Sequence, residues 1–436
     1  MKQYSFILIG AGGRGMTYTR EMLKMPEKYK LVGVADPLPA KRERCMREYG
    51  IPADACYNGW EEILSKPKMA DIAVIATMDD LHYAPAMKAI ELGYDILLEK
   101  PVANTEKECI EIANAAKEKG VRVLVCHVLR YTPFYKKVKS IIKSGMLGEI
   151  ISIDQVEAIG DVHFTHSYVR GNWHTTKTAA PMLLAKSCHD IDMIQWLMDK
   201  PCKKVSSFGD LTYFKPENAP EGAPARCIDG DCPHKDTCPY NCYKIYIDNK
   251  DFAPDVWKQI FTNMHATHPD FTDEERIEVL KKTNFGACVY HAGNDVLDHQ
   301  IVNMEFEGGG TATLTVNAFN GGGRFTRVYG TNGELYAFMS AENIYVRTFN
   351  DKNRRYIPVM ETEESIAGGH GGGDSGIIMD LYDYLTGKEI DFGVSEIGIS
   401  VYNHLIGFAA EEARHNDTVV ALDEFFARNN YENKYF

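Results

Sequence analysis

The 436-residue chain contains no apolar run of about 18 residues, the shortest that spans a bilayer as a helix. The sequence therefore predicts no membrane-spanning helix and no membrane partner. No secretory leader is expected either. The first apolar run, within MKQYSFILIGAGGRG, stops at Gly10 and has no small-residue cleavage site behind it. The expected address is the cytoplasm. Positive charge is in deficit: 48 Lys and Arg face 61 Asp and Glu, for a net charge of −13. This argues against a nonspecific nucleic-acid binder, which needs a basic face to displace counterions. A local anion site stays open, because the N–H groups at one helix end can hold a phosphate. No internal repeat or low-complexity tract stands out. The 44% hydrophobic content belongs to a globular chain, not a disordered one. At roughly 100–200 residues per domain, the length predicts two or three domains.

In a cytoplasmic protein the 11 cysteines are expected as thiols or metal ligands. Four cluster as Cys227-x4-Cys232-x5-Cys238-x3-Cys242, with His234 among them. Four soft ligands in one short loop suit a structural tetrahedral zinc, although the spacings are looser than paired C-x2-C. Free thiols are the main alternative and a redox disulfide a further one. No H-E-x-x-H spacing points to a catalytic metal.

Residues 1–127 alternate apolar runs with helical stretches. The runs are Ser5–Ile9, Leu31–Ala35, Ile72–Ala76, Ile96–Leu98 and Val121–Val125. A helix opened by Thr105…Glu108 stops at Gly120. Continuous apolar runs between helices mark a parallel sheet covered on both faces, hence a doubly wound Rossmann-type α/β domain. Residues 128–436 read as an α+β domain with a large, mainly antiparallel open sheet. Its expected strands are Glu149–Val156, Val205–Thr212, Val302–Phe306, Thr311–Val316, Thr326–Tyr329 and Ile344–Thr348, with helices over 181–198, 376–386 and 396–414. Residues 214–285 read as a Cys-bearing insertion, a lid or an oligomer contact, with one helix opened by Thr272…Glu275.

Gly10-Ala11-Gly12-Gly13-Arg14-Gly15 is a G-x-G-x-x-G that follows a strand, opens a helix and precedes an acidic residue ending the next strand. Gly10 permits the tight turn, Gly12 lets backbone approach a pyrophosphate, and Gly15 lets the helix pack close. Asp36 can accept hydrogen bonds from a ribose diol and would repel a 2′-phosphate. The expected cofactor is NAD, with Lys41 and Arg42 keeping NADP open.

With Glu99-Lys100-Pro101 the chain resembles the glucose–fructose oxidoreductase/inositol dehydrogenase (Gfo/Idh/MocA) family. The glycine loop, the Ala76-Thr77…His82 turn, Glu-Lys-Pro, Gly145-Met146-Leu147-Gly148 and Cys188-His189-Asp190-Ile191-Asp192 match it in order. The resemblance implies an NAD(P)-dependent oxidoreductase of sugars and polyols, with Gly10, Gly12, Gly13, Arg14, Gly15, Asp36, Thr77, His82, Glu99 and Lys100 at the cofactor. It implies Lys100 and His189 as catalytic residues. One departure is Ala185, where the family commonly carries an acid, so Asp192 or another carboxylate is expected to stand in and Lys186 to bond substrate.

Lys100 also makes chemical sense at a strand C-terminus, where open parallel sheets bind ligands. A hydroxyl carbon releases hydride only as its proton departs, and a Lys can serve that exchange. The plain alternative is a surface Lys paired with Glu99. Lys186, His189 and Asp192 are three apart and would share one helix face. Three further polar groups stand out: His163 to His174, with Arg170 and Trp173; Tyr290 to His299, with Asn294 and Asp295; and His370 with Asp374. Sugars are bound by planar polar groups and an aromatic platform. Arg170, Trp173, Asn294, Asp295 and His370 are the substrate candidates, each equally readable as a structural hydrogen-bonder. Two of the three groups are expected to converge on the nicotinamide.

The expected activity is NAD-dependent hydride transfer to or from a hydroxyl-bearing carbon of a sugar, glycoside or polyol. The alternatives are an NAD-dependent glycosidase working by transient ring oxidation and elimination, and a non-catalytic NAD-bound sensor. A homo-oligomer, dimer or tetramer, is the expected assembly.

Overall fold

The computed structural model describes residues 2–248, 272–350, 354–360 and 369–433. The first sheet holds β1 (Tyr4–Ile9), β2 (Tyr29–Ala35), β3 (Cys56–Tyr57), β4 (Ile72–Ile75), β5 (Asp95–Leu98) and β6 (Val123–Val125). Its order is β3-β2-β1-β4-β5-β6, and every pairing is parallel. Ile7, Leu8, Ala73, Val74, Leu97 and Leu98 are fully buried, as helices on both faces demand. Strand order reverses at β1, which has β2 on one side and β4 on the other. Such a switch point opens a crevice at the strand C-termini. The helix Gly13–Leu23 starts there. Farther along, Thr105 Oγ1 accepts from Glu108 N at 3.2 Å to cap Glu106–Lys119, and Gly120 ends that helix at φ +69°.

The second sheet holds β7 (Ile150–Ala158), β8 (Cys202–Asp210), β9 (His299–Phe306), β10 (Thr311–Asn317), β11 (Gly323–Gly330), β12 (Gly333–Phe338), β13 (Asn343–Thr348), β14 (Arg354–Pro358) and β15 (Val420–Ala421). The order is β14-β13-β12-β11-β7-β10-β9-β8-β15, antiparallel except for the β7–β10 pair. Register explains how this sheet carries a site. Alternate residues of β7 point inward as Ile153, Gln155 and Glu157, opposite Val328, Thr326 and Arg324 of β11. The shared face is apolar at one end and becomes charged toward the other.

The chain crosses the boundary drawn at residue 127. The helix Gly373–Thr386 returns to the first sheet, where Ile377, Ile378 and Leu381 share a buried cluster with Phe6, Leu8 and Met16. Tyr29 and Tyr4 hydroxyls donate to the Ile378 and Leu385 carbonyls, both at 2.8 Å. The insertion lies between β8 and β9. Its described part has a small core of Ile228, Cys242, Ile245, Tyr246, Val279 and Leu280, and residues 249–271 fall outside the described residues. Thr272 and Glu275 form the full reciprocal capping box on Asp273–Lys282. The helix expected over 181–198 is two helices, Met182–Ala185 and Cys188–Met198.

Candidate active site

The glycine loop sits at the switch point. Gly10 has φ +92°, and a Cβ there would lie 2.5 Å from the Ala76 carbonyl oxygen at the end of β4. A Cβ on Gly12 would meet only Lys41 Nζ, at 4.0 Å. The loop is thus closed against the sheet and open on its outer side. No side chain caps the Gly13–Leu23 helix, so its first N–H groups remain available to an anion. Asp36, buried at the end of β2, accepts from Ala11 N at 2.9 Å and Leu38 N at 3.0 Å. Carboxylate oxygens offer about four acceptor directions, so some remain for a ribose diol. Lys41 Nζ stands 3.6 Å from Asp36 Oδ2, and Arg42 donates to the Asp36 carbonyl at 2.6 Å. These residues fit a dinucleotide.

Behind the loop, His82 donates to the Pro101 carbonyl at 2.6 Å, and Thr77 Oγ1 donates to the Leu81 carbonyl at 3.0 Å. Thr77 closes its own turn, and His82 ties that turn to the segment that carries Lys100. Glu99 accepts from Arg14 Nε at 2.8 Å, from the Tyr18 hydroxyl at 2.7 Å and from Lys100 N at 2.6 Å. Burial alone would raise the Glu99 carboxyl, but Arg14 and Lys100 outweigh it and the net shift is downward. Arg14, expected at the cofactor, spends its guanidinium differently. It also reaches Asp374 Oδ1 at 2.6 Å and His370 Nδ1 at 3.2 Å, joining the first helix to the returning one.

Lys100 Nζ donates to the Ala185 carbonyl at 2.6 Å. That carbonyl ends the Met182–Ala185 helix, and the Lys100 cation is close enough to be felt electrostatically at His189 on the next helix. His189 is buried, and its pKa is held well below the ordinary imidazole value, first by burial and then by the Lys100 cation and the neighbouring His127. The imidazole is therefore neutral near pH 7.

The helix break separates residues expected on one face. Lys186 adopts φ −115° and Ser187 ψ 9°, outside the helical run. Lys186 pairs with Glu157 at 3.3 Å. Arg324 Nε lies 2.6 Å from Glu157 and 3.1 Å from Asp190. Burial lowers the Lys186 pKa despite Glu157. Asp192, expected at the substrate, faces the interior. It accepts two bonds from Arg130 and one from Asn403, all at 2.7 Å, and is a structural carboxylate.

Trp173 Nε1 donates to Asp79 at 3.1 Å, and its ring lies 6.2 Å from that of Tyr168. Burial raises the Asp79 carboxyl, with Lys100 opposing. Trp173 is thus beside the Lys100 end of the first sheet. His163 is depressed mainly by the Lys186 cation, which places it at the same cluster. Arg170, by contrast, is buried and donates to the carbonyls of Ala287 at 2.9 Å and Tyr240 at 2.8 Å, anchoring the insertion rather than facing substrate. Asp295 accepts from Thr176 N at 2.7 Å and holds that loop, while Asn294 Nδ2 is buried without a partner among the described residues. The first and third polar groups, through His163, Trp173 and His370, adjoin the cations. No bond links the second group's Asn294 or Asp295 to Lys100 or His189 among the described residues.

The zinc expectation is corrected. Among the described residues no three His, Cys, Asp or Glu side chains are grouped to hold a metal ion. Cys242 is fully buried, and its N–H donates to Cys227 Sγ at 3.3 Å. Cys227, Cys232 and Cys238 instead border a cavity with Cys288, while His234 Nε2 lies 2.9 Å from the Glu221 carbonyl.

Several participants carried no local signal: Tyr18 matters through Arg14, Glu157 and Arg324 through β7–β11 register, and His127 through its contact with His189. Asp374, noted only as His370's neighbour, matters through Arg14 as well.

Two family models match the chain: an oxidoreductase family, NAD-binding Rossmann fold, over residues 4–127, and its C-terminal alpha/beta domain over 139–390. YteT of Bacillus subtilis (strain 168) is 24% identical over 415 residues, covering 89% of this chain and 92% of that protein. The inositol 2-dehydrogenase/D-chiro-inositol 3-dehydrogenase of Lactiplantibacillus plantarum is 23% identical over 213 residues, 49% of this chain and 57% of its own. Among solved structures, levoglucosan dehydrogenase with NADH and L-sorbose superposes with TM-score 0.70 at 17% identity, covering 97% of this chain and 99% of that one. An Agrobacterium radiobacter oxidoreductase with NAD+, L-tartaric acid and magnesium gives 0.67 at 12% identity, covering 97% and 99%. With both halves matched in order and the glycine loop fit for a dinucleotide, the chain is an NAD-binding oxidoreductase of the Gfo/Idh/MocA family.

Proposed function

We propose that the protein interconverts a hydroxyl and a ketone on a sugar, glycoside or polyol. The observation that carries this reading is the placement of Lys100 at the C-terminal end of β5, beside the glycine loop, with its amine on the Ala185 carbonyl and its charge felt at His189. Gly10, Gly12, Gly13 and Gly15 would hold the pyrophosphate, and Asp36 would take the adenosine ribose and select NAD over NADP. When bound, the nicotinamide supplies the hydride-exchanging chemistry. Lys100 holds the reacting hydroxyl oxygen through donors not used on Ala185, and Lys100 and His189 together move its proton. Neutral His189 has a ring lone pair to offer. Lys186, pinned by Glu157, and Trp173, pinned by Asp79, would fix the substrate ring, with His370 at its edge. Relatives named as inositol and levoglucosan dehydrogenases support a polyol or sugar as the substrate class.

The test is a panel of sugars, glycosides and inositols with NAD and purified protein, following reduced-nicotinamide absorbance and aglycone release together. Net reduced nicotinamide from a hydroxyl compound supports the reading. Aglycone release without net reduction transfers it to redox-neutral elimination, and neither signal across the panel contradicts it.

A further inference from the structure

His127 follows β6 and is fully buried, yet neither of its ring nitrogens has a hydrogen-bond partner among the described residues. His189 is buried too, and its Nδ1 is sealed without a partner. The two rings touch edge to face, with centroids 5.7 Å apart and planes at 81°. Buried polar nitrogens in folded proteins are almost always paired, to protein or to a trapped water. A hydrogen bond between the touching rings would pair two of the three orphaned nitrogens and leave one on His127 for a trapped water. No other histidine offers relief. His404 lies 5.5 Å from His127, but its Nδ1–H is given to the Ser400 carbonyl at 2.7 Å, and its Nε2 accepts from Val102 N at 3.0 Å.

We propose that His127 is the positioning residue for His189: it accepts the His189 Nδ1–H, directly or through one buried water, and so keeps the Nε2 lone pair on the substrate side. A neutral imidazole has one N–H and one lone pair, and the hydrogen bond made by one nitrogen decides the role of the other. An acceptor at Nδ1 is what a proton-accepting Nε2 requires. His127 touches no substrate in this scheme and acts only through His189. The inference rests on the proposed oxidoreductase reading for its consequence in turnover, but the tautomer itself does not depend on that reading.

Full-length protein labelled with 15N-histidine gives the direct readout. Signals are assigned by loss in His189→Ala and His127→Asn. Wild-type His189 is expected as the Nδ1–H tautomer. His127→Leu, which removes the acceptor and keeps the bulk, is expected to move His189 toward a mixture of tautomers. His127→Asn, which can still accept, is expected to restore the Nδ1–H form. With a substrate in hand, kcat should fall about 10–100-fold in the Leu variant, with KM for NAD and substrate within about threefold, and should recover in the Asn variant. A His189 signal unchanged by His127→Leu overturns the proposal, as does equal loss of kcat in both variants alongside an equal drop in Tm. If no substrate turns over at all, the functional reading fails while the tautomer measurement still decides this one.

Discussion

Arg14 and Asp374 stand 360 residues apart in sequence, yet Arg14 Nη2 and Asp374 Oδ1 lie 2.6 Å apart beneath the glycine loop. Arg14 belongs to the helix that the loop opens, and Asp374 begins the helix that returns from the second domain. The same guanidinium holds Glu99, the residue before Lys100. One side chain therefore ties the glycine loop, the strand end that carries Lys100 and the returning helix together.

Breaking this clasp should cost stability. Asp374 is buried and Arg14 is 30% exposed, so Asp374→Asn should lower unfolding free energy by about 2–3 kcal/mol, at or below the lower limit of the roughly 3–5 kcal/mol for a fully buried pair because solvent reaches Arg14. Urea unfolding of wild type and variant checks this. Burial pushes the Asp374 carboxyl up, but His370 and Arg14 outweigh that and hold it low. A carboxyl depressed in the folded state stabilises above its unfolded pKa, about 4, and loses that contribution as pH falls. The difference between wild type and Asp374→Asn should accordingly shrink below pH ~4.

His404 makes a second pH prediction. Burial holds its pKa down to about 3. The unfolded imidazole takes up a proton near pH ~6.5. Between those values the unfolded state binds more protons, so stability falls as pH drops from about 6.5 toward 3. Replacing His404 with Gln should reduce the stability lost between pH 7 and 5 by about 1–2 kcal/mol. Equal acid sensitivity in both proteins would place the effect elsewhere.

Asp36 should govern cofactor choice. Asp36→Ala removes the buried carboxylate bonded to Ala11 and Leu38 and leaves Lys41 without its partner. NADH affinity should fall roughly 10–100-fold, the worth of a charged hydrogen-bonded contact, and discrimination against NADPH should relax. Fluorescence titration with both nucleotides measures this, and tighter NADPH binding by the wild type would contradict the role given to Asp36.

How far the sequence could be read follows from the range of each interaction. The first sheet was legible because parallel strands buried on both faces appear as unbroken apolar runs, such as Phe6-Ile7-Leu8-Ile9. Lys100 was legible because Pro101 and the preceding strand mark its place. The break at Lys186 and Ser187 was hidden, since Met182, Leu183, Leu184, Ile191 and Ile194 keep helical spacing straight through it. Asp192 and Arg170 carried the right chemistry for substrate, but only tertiary packing reveals Arg130, Asn403 and the Ala287 and Tyr240 carbonyls that consume them. Arg324 and Glu157 needed the β7–β11 register, which no local pattern gives.

The most direct test of the account is Lys100→Met. The substitution keeps much of the side-chain length and removes the amine that meets the Ala185 carbonyl at 2.6 Å. Nicotinamide cofactor affinity should stay within a few-fold of wild type, because the glycine loop and Asp36 are intact. Turnover on the hydroxyl substrate should fall by ~10²–10⁴, the usual worth of a positioned acid–base group. Near-normal turnover in Lys100→Met, with cofactor still bound, would contradict the account and leave His189 to move the proton alone.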